Sequence, residues 1–397
     1  MKKQPQPEAQ LTCLDLFCGA GGKSLGFEQA GFHVVGAIDK DGPAITTFKK
    51  NFEGIGDRAI AADIRTFTPA MMAQLIDRDR VDVIIGGPPC QGFSNVRRRD
   101  GKNHGDSVVE DSRRTLYQEF LKYVMFFQPK VFVMENVLGL KTAVGGKYYE
   151  NIRADANAIG YTLQEKKIFA ADYGVPQKRR RIFFIGLRAD LPQKDILLHP
   201  THSDDQEKQF GGLLRYVTLG EAIMDLPPLQ AGGGEEIAEY DGGRRNKHIM
   251  EYGTRYLYDV LEVGSAPKLT AHRARPHSKR DLKDFEVLSE GENSKTVEAR
   301  GIKMQFPYSR KSFHDRYTRQ HRNRLCSTIV AHLSKDGLMF IHPTQNRSLT
   351  PREAARVQSF PDWFEFPVAR TEQFRQIGNA VPPLVAMAVG LAVRKIL

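Results

Sequence analysis

Short apolar runs alternate with segments of helical periodicity through the first half of the chain. The runs predicted to be strands cover 12–17, 34–38, 81–85, 131–134 and 181–187. The segments predicted to be helices cover 22–30, 44–51 and 112–127, and the last carries apolar residues near helical spacing. Regular alternation of strand and helix favours an α/β fold, with a doubly wound, mostly parallel sheet covered by helices on both faces.

The pattern changes after Leu187. From there to about 346 the chain is rich in glycine, histidine, arginine and short polar runs such as "LQAGGGEE". We predict a first domain over 11–190, completed by 371–397, and a smaller domain over 191–370. The closing helices are "TPREAARVQSF" and "VPPLVAMAVGLAVRKIL", "STIVAHLSKDGLMFIHP" is predicted to be a hairpin turning at 335–337, and 1–10 a disordered tail.

Composition narrows the class of protein. The chain has 397 residues, 41% of them hydrophobic, which indicates a globular protein. Its 58 basic and 47 acidic residues give a net charge of +11, which favours a nucleic-acid partner, although a merely soluble basic protein is the alternative. No apolar run is long enough for a membrane span or signal peptide. The four cysteines form no C-x-x-C pair, as expected of a reduced, intracellular protein.

A glycine loop, "DLFCGAGGKSLG", follows the first predicted strand. Its "GGKS" is reminiscent of a phosphate-binding loop, but Phe17 stands where that motif needs glycine. The strict dinucleotide fingerprint fails at Ser24. What remains is a glycine turn and Asp39, which ends the next strand and can hold ribose hydroxyls. The pattern favours an adenosine-bearing cofactor, with a tight ligand-free turn as the alternative.

Cys90 lies directly behind two prolines in "GGPPCQGFS". A lone cysteine is usually a core residue, but Pro-Pro cannot extend the hydrogen-bond ladder of a strand. Gly19, Asp39, Cys90 and Glu135 each follow a strand-like run, and ligands of open α/β sheets bind at the carboxyl ends of the strands. The sequence therefore predicts one common site at that edge.

Six segments resemble, in order, the motifs of the DNA cytosine-5 methyltransferases: "DLFCGAGG", "GGPPCQGFS", "MENV", "QKRRRIFFIG", "PREAARVQSFPD" and "QIGNAVPP". The resemblance runs from 15 to 383. It implies that Cys90 adds to C6 of a cytosine flipped out of duplex DNA and that Glu135 engages N3 of the base. Arg179 and Arg181 would hold the flipped base and the active-site loop, although "QKRRR" could equally be a basic run that faces phosphate.

The resemblance also implies S-adenosyl-L-methionine as the cofactor. Its binding residues would be Phe17, Gly19, Gly21, Asp39, Asp63, Ile64, Pro89, Leu116, Asn136, Asn379 and Val381. One departure is Lys40, which stands where some members carry an aromatic residue that stacks on adenine. The segment 94–106 resembles a mobile basic loop that closes over DNA, with a solvated surface loop as the alternative. Its predicted DNA-binding residues are Ser94, Arg97, Arg98 and Arg99.

The smaller domain would then recognise the DNA sequence. We predict no metal site, because His272 and His277 lack further ligands at matching spacing. The size resembles a bacterial or phage enzyme, either the modification enzyme of a restriction-modification system or a solitary methylase. We expect a cytoplasmic, nucleoid-associated monomer that forms no stable complex with a cognate restriction endonuclease, where one exists. The rival interpretations are a transfer RNA methyltransferase of the same fold, a non-catalytic DNA-binding protein and, more distantly, a nicotinamide dehydrogenase.

Overall fold

The structure, a computed structural model, describes residues 10–89, 116–305 and 317–397. Nearly all of the predicted tail lies outside these ranges, as does the basic loop. Seven strands form the central sheet in the order β3-β2-β1-β4-β5-β7-β6. They are β1 (Thr12–Leu16), β2 (His33–Asp39), β3 (Ala59–Ala61), β4 (Val83–Gly86), β5 (Val131–Asn136), β6 (Tyr161–Phe169) and β7 (Arg180–Arg188). The predicted doubly wound, mostly parallel sheet is confirmed.

Helices cover both faces of this sheet. Those of the first half are α1 (Gly22–Gln29), α2 (Gly42–Asn51), α3 (Pro69–Ile76), α4 (Leu116–Phe127) and α5 (Lys147–Ala158). Alternate strand residues enter two different apolar clusters, because successive side chains of a strand point to opposite faces. Val83 and Ile85 pack in one cluster, and Ile84 packs in the other. Burial on both faces explains why these strands are nearly continuous apolar runs.

The carboxyl ends of the parallel strands meet at one edge of the sheet. β3, β2, β1, β4 and β5 run parallel to one another, and β7 pairs antiparallel with both β5 and β6. The amino end of β7 therefore lies beside the carboxyl end of β5, with Asn136 opposite Ile182. This topology brings the residues that follow β1, β2, β4 and β5 to the same edge as the start of β7.

The last helices complete the layer over α1. They are α12 (Arg370–Asn379) and α13 (Pro383–Arg394). A side chain at Gly26 of α1 would collide with the backbone of α13 at Pro383 and Met387, so glycine permits this close packing. Residues 370–394 are long and apolar enough to be compared with a membrane span, but 67% of the most apolar window is buried inside the protein. They form part of the core.

Scattered, mostly short elements separated by loops occupy 191–370. They are β8 (His202–Ser203), α6 (Gln206–Phe210), β9 (Leu214–Arg215), α7 (Leu219–Ile223), β10 (Gly234–Ala238), α8 (Gly242–Tyr252), β11 (Leu269–Arg273), α9 (Lys279–Glu286), α10 (Ser294–Ala299) and α11 (Pro351–Val357). Phe285, Tyr317 and Ile341 belong to an apolar cluster of this region alone. Phe364, in contrast, packs edge-on against Phe52 of the first domain. The boundary at 370 stays a prediction.

The predicted hairpin at 327–343 is wrong. Residues Ala331–Ser334 form a 3₁₀ helix, and Ile341 makes isolated bridges with Arg319 and Ser348 instead of pairing with the first apolar run. The first apolar run does not pair as a strand. Its Ile329 N–H donates instead to the side chain of Gln177 at 3.1 Å. The apolar pattern predicted two paired strands, but the first one bonds to Gln177, which is distant in sequence.

Fully buried ion pairs anchor α11. The guanidinium of Arg356 donates to Asp225 at 2.5 Å and to Asp362 at 2.6 Å. Arg347 donates to both carboxylate oxygens of Glu353, and all of these side chains are at most 1% exposed. Losing one partner of such a pair leaves an uncompensated buried charge, so we expect that loss to destabilise the packing of α11 against Asp225 and Asp362.

Candidate active site at the carboxyl edge of the sheet

The glycine loop after β1 has an unusual backbone conformation. Phe17 has φ 58° although it carries a bulky side chain, and Gly19 and Gly21 also have positive φ. A Cβ at Gly21 would collide with the ring of Phe52, so that glycine serves packing. A Cβ at Gly19 would meet none of the described residues within 4 Å, so that part of the chain leaves this side of the loop uncovered. Strain at a non-glycine residue commonly marks a functional loop.

Asp39, at the end of β2, holds this loop. One carboxylate oxygen accepts from the Gly19 N–H at 2.9 Å, and the other accepts from the Asp41 N–H at 2.9 Å. Each oxygen keeps a further lone pair for an incoming hydroxyl. The structure thus joins two residues that are twenty positions apart and were both predicted to bind the cofactor.

Asp63 lies after β3 on the same side of the site. Arg65 donates to both of its carboxylate oxygens, and these bonds hold the pKa of Asp63 well below its usual range. Lys40 also donates to Asp63 at 3.1 Å, with 73% of its own side chain exposed. Lys40, which stands where some family members carry an aromatic residue, is therefore paired with Asp63, an acid predicted to lie on the adenine side of the cofactor. Ile64 is buried beside it.

Glu135 and Arg181 form the polar centre of the site. Arg181 Nε lies 3.0 Å from Glu135 Oε1, and the two side chains are 17% and 13% exposed. The second oxygen, Oε2, borders Gly87, where a built Cβ would lie 3.3 Å from it. The pair arises because β5 and β7 are neighbours, so that Glu135 of "MENV" and Arg181 of "QKRRR" meet across the sheet. One carboxylate oxygen is fixed by a cation, and the other faces the turn after β4.

Asn136 supports the turn that leads to Cys90. Its Nδ2 donates to the carbonyl of Pro88 at 3.3 Å, and its Oδ1 accepts from the Val137 N–H at 2.8 Å. Pro89 is half-buried at the end of the described stretch. The predicted nucleophile, Cys90, lies outside the described residues. The predicted DNA-binding residues lie outside them as well: Ser94, Arg97, Arg98 and Arg99.

Arg179 connects the start of β7 to the segments around Ile329 and Ala380. Its terminal nitrogens donate at 2.8 Å to the carbonyls of Ile329 and Ala380, and the residue is only 2% exposed. Burial and the nearby Arg181 guanidinium lower the pKa of Arg179. Its neighbour Gln177 donates to the Gln358 side chain at 2.6 Å, so motifs about 180 residues apart meet here. Lys178 and Arg180 are exposed instead, which divides the basic run into inward and outward members.

The remaining predicted cofactor residues flank the loop. Val381 is buried, and its carbonyl would collide with a Cβ at Gly22, so the chain after α12 packs directly on the loop. Asn379 is exposed at the end of α12, and Leu116 is buried at the start of α4. The structure brings most of the predicted set to one edge, while their roles toward a cofactor stay predictions.

Comparison with known proteins identifies the class. A family model described as C-5 cytosine-specific DNA methylase matches residues 11–395. The chain belongs to this family. It is 37% identical over 393 residues to the type II methyltransferase M.DdeI of Desulfomicrobium norvegicum, covering 96% of this chain and 87% of that protein. It is 33% identical to the type II methyltransferase M.AgeI of Thalassovita gelatinovora, covering 97% and 99%.

A solved structure agrees with this assignment. A candidate DNA modification methyltransferase encoded within an E. coli prophage superposes with a TM-score of 0.71 at 28% identity, over 97% of this methylase and 99% of that chain. The predicted family is confirmed. The dehydrogenase alternative is excluded, because the match spans nearly the whole chain.

Two site residues of the methylase escaped the sequence analysis. Lys23 was noted only as part of "GGKS", yet its ammonium group donates to the Phe17 carbonyl at 3.0 Å and lies 3.6 Å from Asp15 Oδ1. Asp15 is fully buried and accepts from Ser24 at 2.8 Å. Burial raises the pKa of Asp15 to about 6 against the opposing effects of Lys23 and Ser24. The sequence did offer one indication of this role, because Lys23 is a charged residue among small and apolar residues at the start of a predicted helix.

The histidines of "HRARPH" are held by protein groups. His272 contacts the Thr350 hydroxyl at 3.1 Å and the Pro227 carbonyl at 2.9 Å, and His277 contacts the Ser348 hydroxyl at 3.1 Å. Over residues 10–89, 116–305 and 317–397, no group of three histidine, cysteine or acidic residues has the placement of a metal site.

Proposed function

We propose that this methylase uses S-adenosyl-L-methionine to modify one cytosine of a specific duplex sequence, as the modification enzyme of a restriction system. The observation that carries the proposal is the placement of the Glu135–Arg181 pair at the same sheet edge as the Asp39-bound glycine loop and the turn into Cys90. A base-binding acid and an adenosine-type cradle at one edge fit transfer between a nucleobase and a nucleoside cofactor.

Cys90 is the proposed nucleophile. C5 of cytosine is a poor nucleophile by itself, and a thiolate that adds to C6 makes the ring an enamine that is nucleophilic at C5. Glu135 would meet N3 through Oε2, the oxygen that Arg181 leaves free, and would supply the proton that balances the charge of addition. After the methyl group has joined C5, a water-derived base takes the C5 proton, the Cys90 thiolate leaves C6 as the aromatic ring is restored, and N3 returns its proton to Glu135. Asn136 positions the nucleophile by fixing the Pro88 carbonyl.

The described residues fit the proposed cofactor. When bound, S-adenosyl-L-methionine supplies an electrophilic methyl group. Asp39 would accept from its ribose hydroxyls, Phe17 and Ile64 would contact its apolar surfaces, and the open side of Gly19 would admit it. Lys40 would face the adenine side as a cation joined to Asp63 rather than as an aromatic stack.

Arg179 is a proposed positioning residue. Its two short bonds to main-chain carbonyls join β7 to the segments before and after α11. By fixing the start of β7 in this way, Arg179 would keep Arg181, two residues further along the chain, in contact with Glu135.

Salt dependence tests the proposed DNA contacts of the outward basic residues. Arg180 stacks 3.9 Å over the Phe169 ring, and no carboxylate of the described residues lies within 4.0 Å of it. We expect Arg180→Met to reduce the slope of log affinity for duplex DNA against log salt by about 0.9, the value for one lost phosphate contact. Fluorescence anisotropy between low and high salt measures this slope.

The control for that experiment is Arg153→Met. Arg153 is also an exposed arginine over an aromatic ring, Tyr149, but it lies in the middle of α5 and not at the sheet edge where β7 begins. Its slope should equal that of the unmodified protein. An unchanged slope in Arg180→Met would remove the residue from the DNA surface.

Methyl incorporation tests the function directly. We expect labelled S-adenosyl-L-methionine to mark duplex DNA, and conversion sequencing to place the marks at one cytosine of one short sequence. Marks scattered over unrelated sequences would contradict site specificity, and marks on transfer RNA alone would replace DNA as the substrate. No marks on either would favour a non-catalytic DNA-binding role.

Two further features belong to the proposal. Methylation of one strand at a time needs one active site, so we propose a monomer that meets a cognate endonuclease only through their shared DNA sequence. We further propose that the enzyme works in the cytoplasm, at the nucleoid, where its DNA substrate lies. Sedimentation at working concentration tests the monomer.

A further inference from the structure

Two fully buried glutamines, Gln177 and Gln358, join three distant parts of the chain. Gln177 lies shortly before β7, and Gln358 directly follows α11. The Ile329 N–H donates to Gln177 Oε1 at 3.1 Å, and Gln177 Nε2 donates to Gln358 Oε1 at 2.6 Å. Gln358 Nε2 in turn donates to the Ala380 carbonyl at 3.2 Å. Hydrogen bonds therefore run without a break from Ile329 to Ala380.

Main-chain groups fix the direction of these bonds at both ends. An N–H group can only donate, so the Ile329 end requires the oxygen of Gln177. A carbonyl can only accept, so the Ala380 end requires the nitrogen of Gln358. Each amide thus has one orientation that satisfies its neighbours, and the two side chains are held in a single arrangement.

Arg179 closes the same bonds into a ring. It donates at 2.8 Å to the carbonyls of Ile329 and Ala380, the two residues at the ends of the glutamine pair. Gln177 and Arg179 are two positions apart, and Arg181 follows after two more. The ring therefore ties the start of the strand that carries Arg181 to the main chain at Ala380.

The bonds of Gln358 are more than its partners need. The Ala380 carbonyl keeps its bond from the arginine of the ring, and Gln177 Nε2 also donates to the Val357 carbonyl at 3.0 Å. The Ile377 carbonyl, which also accepts from Gln358, is bonded to the Ala380 N–H at 3.3 Å. Burying an amide costs more than burying an apolar group, so a residue that only filled this space would be apolar. The amide of Gln358 is best explained by the position that it gives to the main chain at Ala380.

We propose that Gln358 is a positioning residue for the cofactor. Through Ala380 it sets the place of Asn379 and Val381, the residues on either side, relative to the sheet edge at which β7 begins. This inference rests on the proposed function, in which Asn379 and Val381 contact S-adenosyl-L-methionine. Buried hydrogen-bond networks that are fully satisfied hold their members rigidly, so loss of the Gln358 amide would let this wall of the cofactor site shift.

The opposing interpretation makes the two glutamines part of the general packing of α12. That helix is tightly packed in any case, because a Cβ at Gly378 would lie 2.3 Å from the Ala331 nitrogen. On this interpretation, losing Gln358 lowers the stability of the fold and leaves the affinity for the cofactor unchanged. The two interpretations therefore differ in a ligand affinity that can be measured.

Calorimetric titration of the full chain with S-adenosylhomocysteine, the proposed cofactor without its methyl group, separates them. Gln358→Met keeps the length of the side chain and removes its hydrogen bonds. We expect it to weaken binding by about 3–10-fold, the usual effect of one neutral hydrogen bond. In steady-state methylation, KM for S-adenosyl-L-methionine should rise by the same factor while kcat stays within about twofold, because Arg179 still holds β7. An affinity less than about threefold below normal would overturn the proposal.

Gln320→Met is the matched control. Gln320 is also a buried glutamine that joins two main-chain groups, since it accepts from the Ser327 N–H at 3.0 Å and donates to the Met339 carbonyl at 2.8 Å. Among the described residues, none of its side-chain bonds reaches Ala380. We expect both variants to lose thermal stability and only Gln358→Met to lose affinity. Equal losses of affinity would be a general effect of destabilisation and would contradict the positioning role.

Gln177→Met tests whether the ring sets the position of Gln358. Gln177 holds the oxygen of Gln358 but makes no bond to Ala380 in the described part of the chain. It should weaken S-adenosylhomocysteine by about 3–10-fold, and the double variant should be no weaker than Gln358→Met, because residues that act through one contact are not additive. Multiplied losses in the double variant would overturn the ring, and this variant alone decides the matter if Gln358→Met does not fold. If the unmodified protein bound neither S-adenosylhomocysteine nor S-adenosyl-L-methionine, the proposed cofactor itself would fail, which is a different result from an unchanged Gln358→Met.

Discussion

Replacing Cys90 with alanine is expected to abolish methyl transfer, lowering the rate by at least about 10⁴-fold. In other enzymes, removing the attacking nucleophile costs about 10⁶-fold, because no other group can form the covalent intermediate. Alanine cannot add to C6, and the enamine that makes C5 reactive cannot form without that addition. Single-turnover methylation of duplex DNA measures the loss, and affinity for DNA should be kept.

Cys13→Ala is the matched control for this variant. Cys13 is a buried thiol near the start of β1, at the end of the strand opposite to the site, so its loss should leave the rate within a few-fold. A Cys90→Ala protein that methylated at a measurable fraction of the normal rate would refute the assignment of the nucleophile.

Covalent trapping identifies the sulfur directly. Duplex DNA with 5-fluorocytosine at the target cannot release a C5 proton after methyl transfer, so the thiolate stays bound to C6. The unmodified protein and Cys13→Ala should form a DNA adduct that survives denaturation, and Cys90→Ala should form none. An adduct mapped to another residue would move the nucleophile there.

The sheet could be predicted because its signals are local. Strands buried on both faces need continuous apolar runs, and the predicted 131–134 and 181–187 differ from β5 and β7 by only one or two residues at their ends. The common site could also be predicted, because carboxyl ends of parallel strands must share an edge. Asp39 and Glu135 followed from that rule alone.

Contacts between distant segments could not be predicted in the same way. Nothing local shows that Arg179 would donate to carbonyls 150 and 201 residues away, or that Gln177 would take the Ile329 N–H from the expected hairpin. Lys23 was missed for a related reason. The segment that contains Lys23 does not match a phosphate-binding loop, so the sequence assigned this lysine no role. Only the folded chain shows that its charged side chain is buried.

Replacing Glu135 with glutamine is expected to slow methyl transfer by about 10²–10⁴-fold, the usual contribution of general acid–base catalysis. Glutamine keeps the shape of the side chain and can still accept from Arg181 Nε, which lies 3.0 Å from Oε1. It cannot deliver a proton to N3 of the base, so addition of the thiolate to C6 would build up charge that the site no longer neutralises. The single-turnover rate should fall, while affinities for DNA and S-adenosylhomocysteine change little.

Glu165→Gln separates this effect from the general cost of losing a paired carboxylate. Glu165 on β6 is 19% exposed, against 13% for Glu135, and is paired with Lys141 at 2.9 Å, but it belongs to the edge strand away from the proposed site. It should methylate at the normal rate. The proton-transfer role of Glu135 fails if Glu135→Gln stays within about threefold of normal, or if both variants slow equally. A selective loss in Glu135→Gln, with trapping on 5-fluorocytosine slowed in proportion, would place the lost proton in the step in which Cys90 adds to the base.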